Sequence, residues 1–421
     1  MSTSAPTPMP AVSELRAAVM SGCESAASSR TKICFISPLG YGLYRPESRR
    51  PFGGAEVQFF LLAQALSSDP AFEVTVLTTV EGRPEAGRCG GLTLVARRGR
   101  KRLDHGAGLL SSLGALPGYA TAFADMLRQL RAIDADVYLH AGAGVEAGAY
   151  ALICRLLRRR FLYVVASSAD LCEAAGQVAG PLRRLFPLGV RLADAVICRT
   201  EEQRAWLRSR YGRLGLLIRT GHPAPETRPA GSIGAKPSVL WVGRAHPLKQ
   251  PELFLDLVER LPNERCVMVI GRDAAHQELL GRVRARAARL SNLTLQEDVP
   301  WGEVGRFFDG AKLLVNTSTY EGFPNTFVQA ALRGVPILSW SVDPDGVLVQ
   351  QHMGRCARGS FDRLVEAAVG LCTCDAARAD MSRRALAYAR DHHDLARLAG
   401  QWKALFSAVA AAGAMNGEPA R

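Results

Sequence analysis

No uninterrupted apolar stretch in this chain approaches the roughly 18 residues that a membrane-spanning helix requires. The first 30 residues are rich in Ser, Ala, Pro and Met and contain no apolar run behind a basic start, so residues 1–30 read as a disordered extension and not a signal peptide. The ten cysteines never form a CxxC pair, and Cys372 and Cys374 stand too close for the usual zinc spacing. Cys34, Cys154, Cys198 and Cys266 lie in apolar stretches, which suits buried free thiols in a reducing compartment. No Asp-x-Asp follows a predicted strand. Asp343-Pro344-Asp345 comes nearest, and its proline favours a turn, so no metal is expected. Nucleic-acid-binding motifs are absent as well.

What is present describes a globular chain. Hydrophobic residues make up 48% of the 421 and charged residues 22%. That length exceeds one ordinary core and implies two domains. The net charge of +13 is uneven. Residues 31–222 hold 26 Lys/Arg against 16 Asp/Glu, whereas 237–421 hold 22 against 20. Basic clusters stand at Arg97, Arg98, Arg100, Lys101 and Arg102, and at Arg155 and Arg158 to Arg160. They suggest an anionic partner, and the mixture of Arg183, Arg184 and Arg191 with Leu182, Leu185, Phe186 and Leu188 suits an anionic membrane surface.

Apolar strand-like runs alternate with helical spacings throughout, the rhythm of parallel α/β sheets. Strands are expected at Lys32–Ser37, Glu73–Thr78, Asp136–Leu139, Phe161–Val165 and Ala195–Cys198, and again at Val239–Val242, Cys266–Ile270 and Leu313–Asn316. Residues 223–236 are rich in Pro and Gly and read as a linker. The expected plan is a Rossmann-like domain over 31–222, a second over 237–390, a closing helix over 391–410 and a tail over 411–421. Within the closing segment, Leu395, Leu398, Trp402, Leu405 and Phe406 share one helical face.

Three loops carry candidate chemistry. Gly53 and Gly54 open a helix, where a bare backbone lets an anion approach unpaired N–H groups. Val242-Gly243-Arg244-Ala245-His246-Pro247-Leu248-Lys249 joins a strand to a helix, and Arg244 and Lys249 together suit a diphosphate. Asn316 to Gln329 leaves a strand, turns through Glu321-Gly322-Phe323-Pro324-Asn325 and enters a helix that carries Gln329. A loop carboxylate and a helix amide one turn beyond Asn325 can grip different parts of one ligand.

In their order and spacing, Gly-Gly, Val-Gly-Arg with its following Lys, and Glu-Gly-Phe-Pro-Asn resemble the retaining glycosyltransferases of family 4, over about residues 31–406. The stretch from Asn316 resembles a subgroup linked to bacterial surface polysaccharide synthesis. The resemblance implies a GT-B fold, two Rossmann-like domains with a cleft between them, in a cytoplasmic or peripheral membrane enzyme. It implies a nucleotide-sugar donor, UDP- or GDP-linked, a glycan or lipid-linked acceptor, and no cofactor or metal. Arg244 and Lys249 would then hold the donor diphosphate and Glu321 the sugar hydroxyls. Gly322, Phe323, Pro324 and Asn325 would line the phosphate or sugar, and Gly53 and Gly54 would face the donor. The chain departs from the family in two places. The second glutamate of Glu-x7-Glu, which holds the ribose, is Gln329. Ala166 to Asp170 stands where the family often has a histidine, leaving Asp170 and His140 as substitutes. Two other readings remain: a nicotinamide dehydrogenase, from Gly142-Ala143-Gly144, and a GT-B protein that binds nucleotide-sugar or a partner without transfer.

Overall fold

The computed structural model describes residues 30–83, 85–98, 116–172, 184–225 and 238–414. Residues 1–29 of the N-terminal segment, most of the expected linker, the basic residues Arg100 to Arg102 and the stretch 181–183 of the expected interfacial patch lie outside the described residues.

Two sheets organise the chain. The first contains β1 (Thr31–Ile36), β2 (Phe72–Val80), β3 (Glu85–Cys89), β4 (Leu92–Arg98), β5 (Val137–Ala141), β6 (Arg160–Val164), β7 (Ala195–Cys198) and β8 (Leu216–Leu217), in the order β3-β4-β2-β1-β5-β6-β7-β8. The second contains β9 (Ser238–Arg244), β10 (Cys266–Gly271), β11 (Leu293–Glu297), β12 (Ala311–Asn316), β13 (Ile337–Ser339) and β14 (Gly354–Cys356), in the order β11-β10-β9-β12-β13-β14. Every pair is parallel except β3 with β4, a hairpin added at one edge. The central strands are buried on both faces and so read as apolar runs. Strand order reverses between β1 and β5 in one sheet and between β9 and β12 in the other, giving two doubly wound sheets.

Contacts divide the chain into two compact units. One comprises the chain up to Tyr44, Phe52–Arg219 and the segment from Leu395 onward; the other comprises Arg45–Pro51 and Thr220–Asp394. The short stretch Arg45–Pro51 therefore groups with the second sheet although its sequence neighbours belong to the first. The C-terminal helix runs from Leu395 to Ala414, four residues past the expected end at 410. Its later turns are held by burial: Val409 is fully buried, as are Leu405 and Phe406. The helix packs within the first unit, against the helix Gly54–Ser67 and strands β1, β5 and β6.

Two electrostatic expectations change. In the cluster at 155–160, Arg159 pairs with Asp134 and Asp136, and Arg160 pairs with Asp194 at 3.0 Å, so these charges are neutralised within the fold. In the interfacial patch, Phe186 and Val190 are buried in the core. Their helix, Leu185–Leu192, lies against the helix Val145–Leu156 with no room between backbones. A Cβ on Gly148 would come within 2.1 Å of the Leu185 carbonyl oxygen. Phe186 thus fills a core position instead of a membrane-facing one, while Arg184 and Arg191 stay exposed.

Candidate functional site

In an open α/β sheet the crevice for ligands forms at the carboxyl ends of the strands where their order reverses. In the second sheet that point lies between β9 and β12: Arg244 ends β9, Lys249 lies in the loop after it, and Glu321 lies in the loop after β12.

Hydrogen bonds latch the two loops together. Trp241 Nε1 donates to Thr317 Oγ1 at 2.8 Å, and the Thr317 hydroxyl donates to the Lys249 carbonyl at 2.6 Å. Thr319 N–H donates to the Leu248 carbonyl at 2.9 Å. The Trp241 ring needs Gly243 beside it, because a Cβ there would meet the ring at 2.7 Å. With its backbone anchored, Lys249 forms an ion pair with Glu321 Oε1, to which Ser318 Oγ also donates at 2.8 Å. Ser318 is oriented in turn by Asn316, whose Oδ1 accepts its N–H at 3.2 Å. Arg244 is more open and faces Asp273 Oδ2 at 3.5 Å. Lys249 and Glu321 are partly buried partners.

Gly322, Phe323 and Pro324 are buried. The Phe323 ring lies 4.3 Å from that of His393 and its carbonyl accepts from Thr220 Oγ1 at 3.4 Å. Asn325 Oδ1 lies 3.2 Å from His222 Nε2, and burial pulls the His222 pKa down to about 4, leaving a neutral ring. The Asn325 side chain and the Phe323 carbonyl are thus engaged inside the second unit. Gln329 stands half-buried on the seven-residue helix Asn325–Ala331. His222 and His393 carry no signal in the sequence, since each acts on residues dozens of positions away and no local pattern marks them.

In the first unit, Gly53 precedes the helix Gly54–Ser67, and its N–H donates to Glu56 Oε2 at 3.0 Å. A carboxylate therefore occupies one of the donors expected to meet an anion. Asp170 accepts the N–H groups of Ala166 and Ser167 at 2.9 and 3.0 Å, the behaviour of a turn-capping carboxylate. His140 is buried at the end of β5, where desolvation lowers its pKa to about 4. Gly142 adopts a left-handed φ of +94° in the turn to the helix Val145–Leu156.

A sequence profile described as Glycosyltransferase Family 4 matches residues 52–215, and one described as Glycosyl transferases group 1 matches residues 236–373. The chain belongs to the family 4 glycosyltransferases. Curated relatives include two D-inositol 3-phosphate glycosyltransferases. That of Streptomyces bingchenggensis is 27% identical over 46% of this chain and 48% of its own length. That of Segniliparus rotundus is 24% identical over 43% and 44%. The chain thus matches about half the length of these relatives. Among solved structures, the sucrose-phosphate synthase of Thermosynechococcus elongatus aligns with a TM-score of 0.67 at 18% identity, over 89% of this chain and 97% of that one. Anabaena HepE, in complex with UDP and glucose, aligns at 0.62 and 16% identity, over 89% and 98%. An α,α-trehalose-phosphate synthase (UDP-forming) from Burkholderia xenovorans, in complex with glucose-6-phosphate, aligns at 0.66 and 13% identity, over 89% and 99%. These likenesses, with the two doubly wound sheets, establish the GT-B fold of this family 4 chain. Among the described residues, no helix is long and apolar enough to cross a membrane.

Proposed function

We propose that this chain transfers a sugar from a UDP-sugar to an acceptor hydroxyl with retention of configuration, in the synthesis of a surface polysaccharide or related glycoconjugate. The observation that carries the reading is the joined pair of loops at the reversal point of the second sheet. They hold Lys249 against Glu321 and leave Arg244 half-exposed beside them. Two cations at the end of a parallel strand suit a diphosphate leaving group, and a carboxylate beside them suits sugar hydroxyls. UDP is favoured over GDP because HepE binds UDP and the trehalose-phosphate synthase is UDP-forming. For the acceptor, the names of the inositol 3-phosphate enzymes favour a phosphorylated polyol as the second reading beside a glycan or lipid-linked one.

A thermal-shift screen against UDP, GDP, ADP and CMP tests the donor. UDP at about 100 times its dissociation constant should stabilise the protein by about 2.7 kcal/mol. A larger shift with GDP than with UDP at equal concentration would reassign the base. The unit that meets the nucleotide is tested at Gln329. An amide offers one acceptor oxygen and two donors, so it binds a ribose less symmetrically than a carboxylate does. Gln329→Ala should weaken UDP-sugar binding by about 1–3 kcal/mol, and Gln329→Glu should keep it within about 1.5 kcal/mol of native. Calorimetric titration with ribose and 2′-deoxyribose donors decides: equal discrimination by the native protein and the Ala variant means that Gln329 does not touch the ribose.

A further inference from the structure

Beside the loop of Arg244, two strand ends bring three further side chains together. His246 follows β9, and Asp273 and His276 follow β10, its parallel neighbour. The register sets Arg244 opposite Gly271, and Ala245 N–H donates to the Gly271 carbonyl at 2.9 Å, so the two loops leave the sheet side by side. One ligand-type atom from each of His246, Asp273 and His276 lies within 4.8 Å of the other two. The two imidazole rings meet edge to face, 4.6 Å apart.

The decisive detail is at His276. Its Nδ1 is shut off from solvent, lies 3.4 Å from Asp273 Oδ1 and makes no hydrogen bond. Two ligand atoms each about 2.1 Å from a tetrahedral ion stand about 3.4 Å apart, so this spacing is the one a shared cation requires. Asp273 is held in place on both oxygens, since Oδ1 accepts the Ala275 N–H at 3.1 Å and Oδ2 faces Arg244. His246 Nδ1 accepts the Leu248 N–H at 3.1 Å. Turning that ring onto an ion gives up this one bond, and Leu248 is 44% exposed, so water can take over its N–H. Arg244 and Lys249 repel a cation here, and the Asp273 carboxylate offsets them. His276 also lines an open groove of about 950 Å³ with Pro247, Gln250 and Gln277, which places the cluster at the rim of that groove.

We propose that His246, Asp273 and His276 form a binding site for a divalent transition-metal ion of the zinc, cobalt and nickel class. Two imidazoles and one carboxylate suit these ions, whereas magnesium favours all-oxygen sites. The ion sits beside the Arg244–Lys249 loop and takes no part in neutralising the leaving group. Its ligand set stands whether or not that loop holds a diphosphate.

Cobalt(II) titration of the untagged full-length protein, stripped of metal by chelation and dialysis, tests the site. One equivalent should bind per chain, with visible bands of a nitrogen and oxygen environment and no sulfur-to-cobalt charge-transfer band. His246→Ala, Asp273→Asn and His276→Ala should each weaken binding about tenfold or more, with circular dichroism unchanged. The site is wrong if the native protein binds no cobalt or if all three variants bind it as the native protein does. It is equally wrong if the bound ion shows a thiolate band that vanishes in Cys374→Ser, since Cys374 is an exposed thiol.

Discussion

Replacing Lys249 or Arg244 with alanine should lower the turnover of sugar transfer by roughly 100- to 1000-fold, the scale of losing one preorganised charge from a transition-state site. Rates are measured with a UDP-sugar donor at saturation, alongside melting temperature. The two variants should part company in stability. The Arg244 side chain is 38% exposed and meets Asp273 only at 3.5 Å, so its loss should cost less than about 1 kcal/mol. Lys249 is the ion partner of the partly buried Glu321. Its removal leaves that carboxylate with the Ser318 hydroxyl alone among the two side chains that hold Oε1 here, at a cost of about 1–3 kcal/mol. Near-normal turnover in both variants would place the donor diphosphate elsewhere.

Phe406→Ala should destabilise the first unit by about 3–5 kcal/mol. Phe406 is fully buried near the end of the chain. Its ring meets Phe35 of β1 and Phe72 of β2 at 6.4 Å each and stacks with Trp402 at 5.5 Å. The C-terminal helix is therefore a core element of a unit whose first strand stands at the opposite end of the chain. Urea unfolding followed by circular dichroism and fluorescence reads the effect in the transition of that unit. A change below about 1 kcal/mol would mean that the cavity collapses or that the helix packs loosely.

Much of this fold is legible along the chain. The expected strands at Ala195–Cys198 and Cys266–Ile270 match β7 and β10 to within a residue, because a strand buried on both faces leaves an apolar run bounded by turns. β3 is hidden for the opposite reason: Glu85-Ala86-Gly87-Arg88-Cys89 is almost wholly exposed and pairs only at a sheet edge, so it carries no apolar period. β13 and β14 span three residues each, too few to show a period at all. The buried Phe186 misleads because an Arg/Leu/Phe mixture has the same composition on an interfacial helix and on a helix pressed into a core.

The sequence alone determined the two α/β halves, the loops after β9 and β12, and the family those loops resemble. Each of these is written in neighbouring residues, where side-chain period reports burial and Gly or Pro reports a turn. Tertiary structure alone decided the partners. Lys249 meets Glu321 across 72 positions, His222 meets Asn325 across 103, and His246 meets Asp273 and His276 across a strand-helix-strand crossover. The reason is physical: a local pattern states that a strand is buried but not which strand lies beside it. Strand order, settled by how whole sheets and helices pack, sets which loop ends become neighbours.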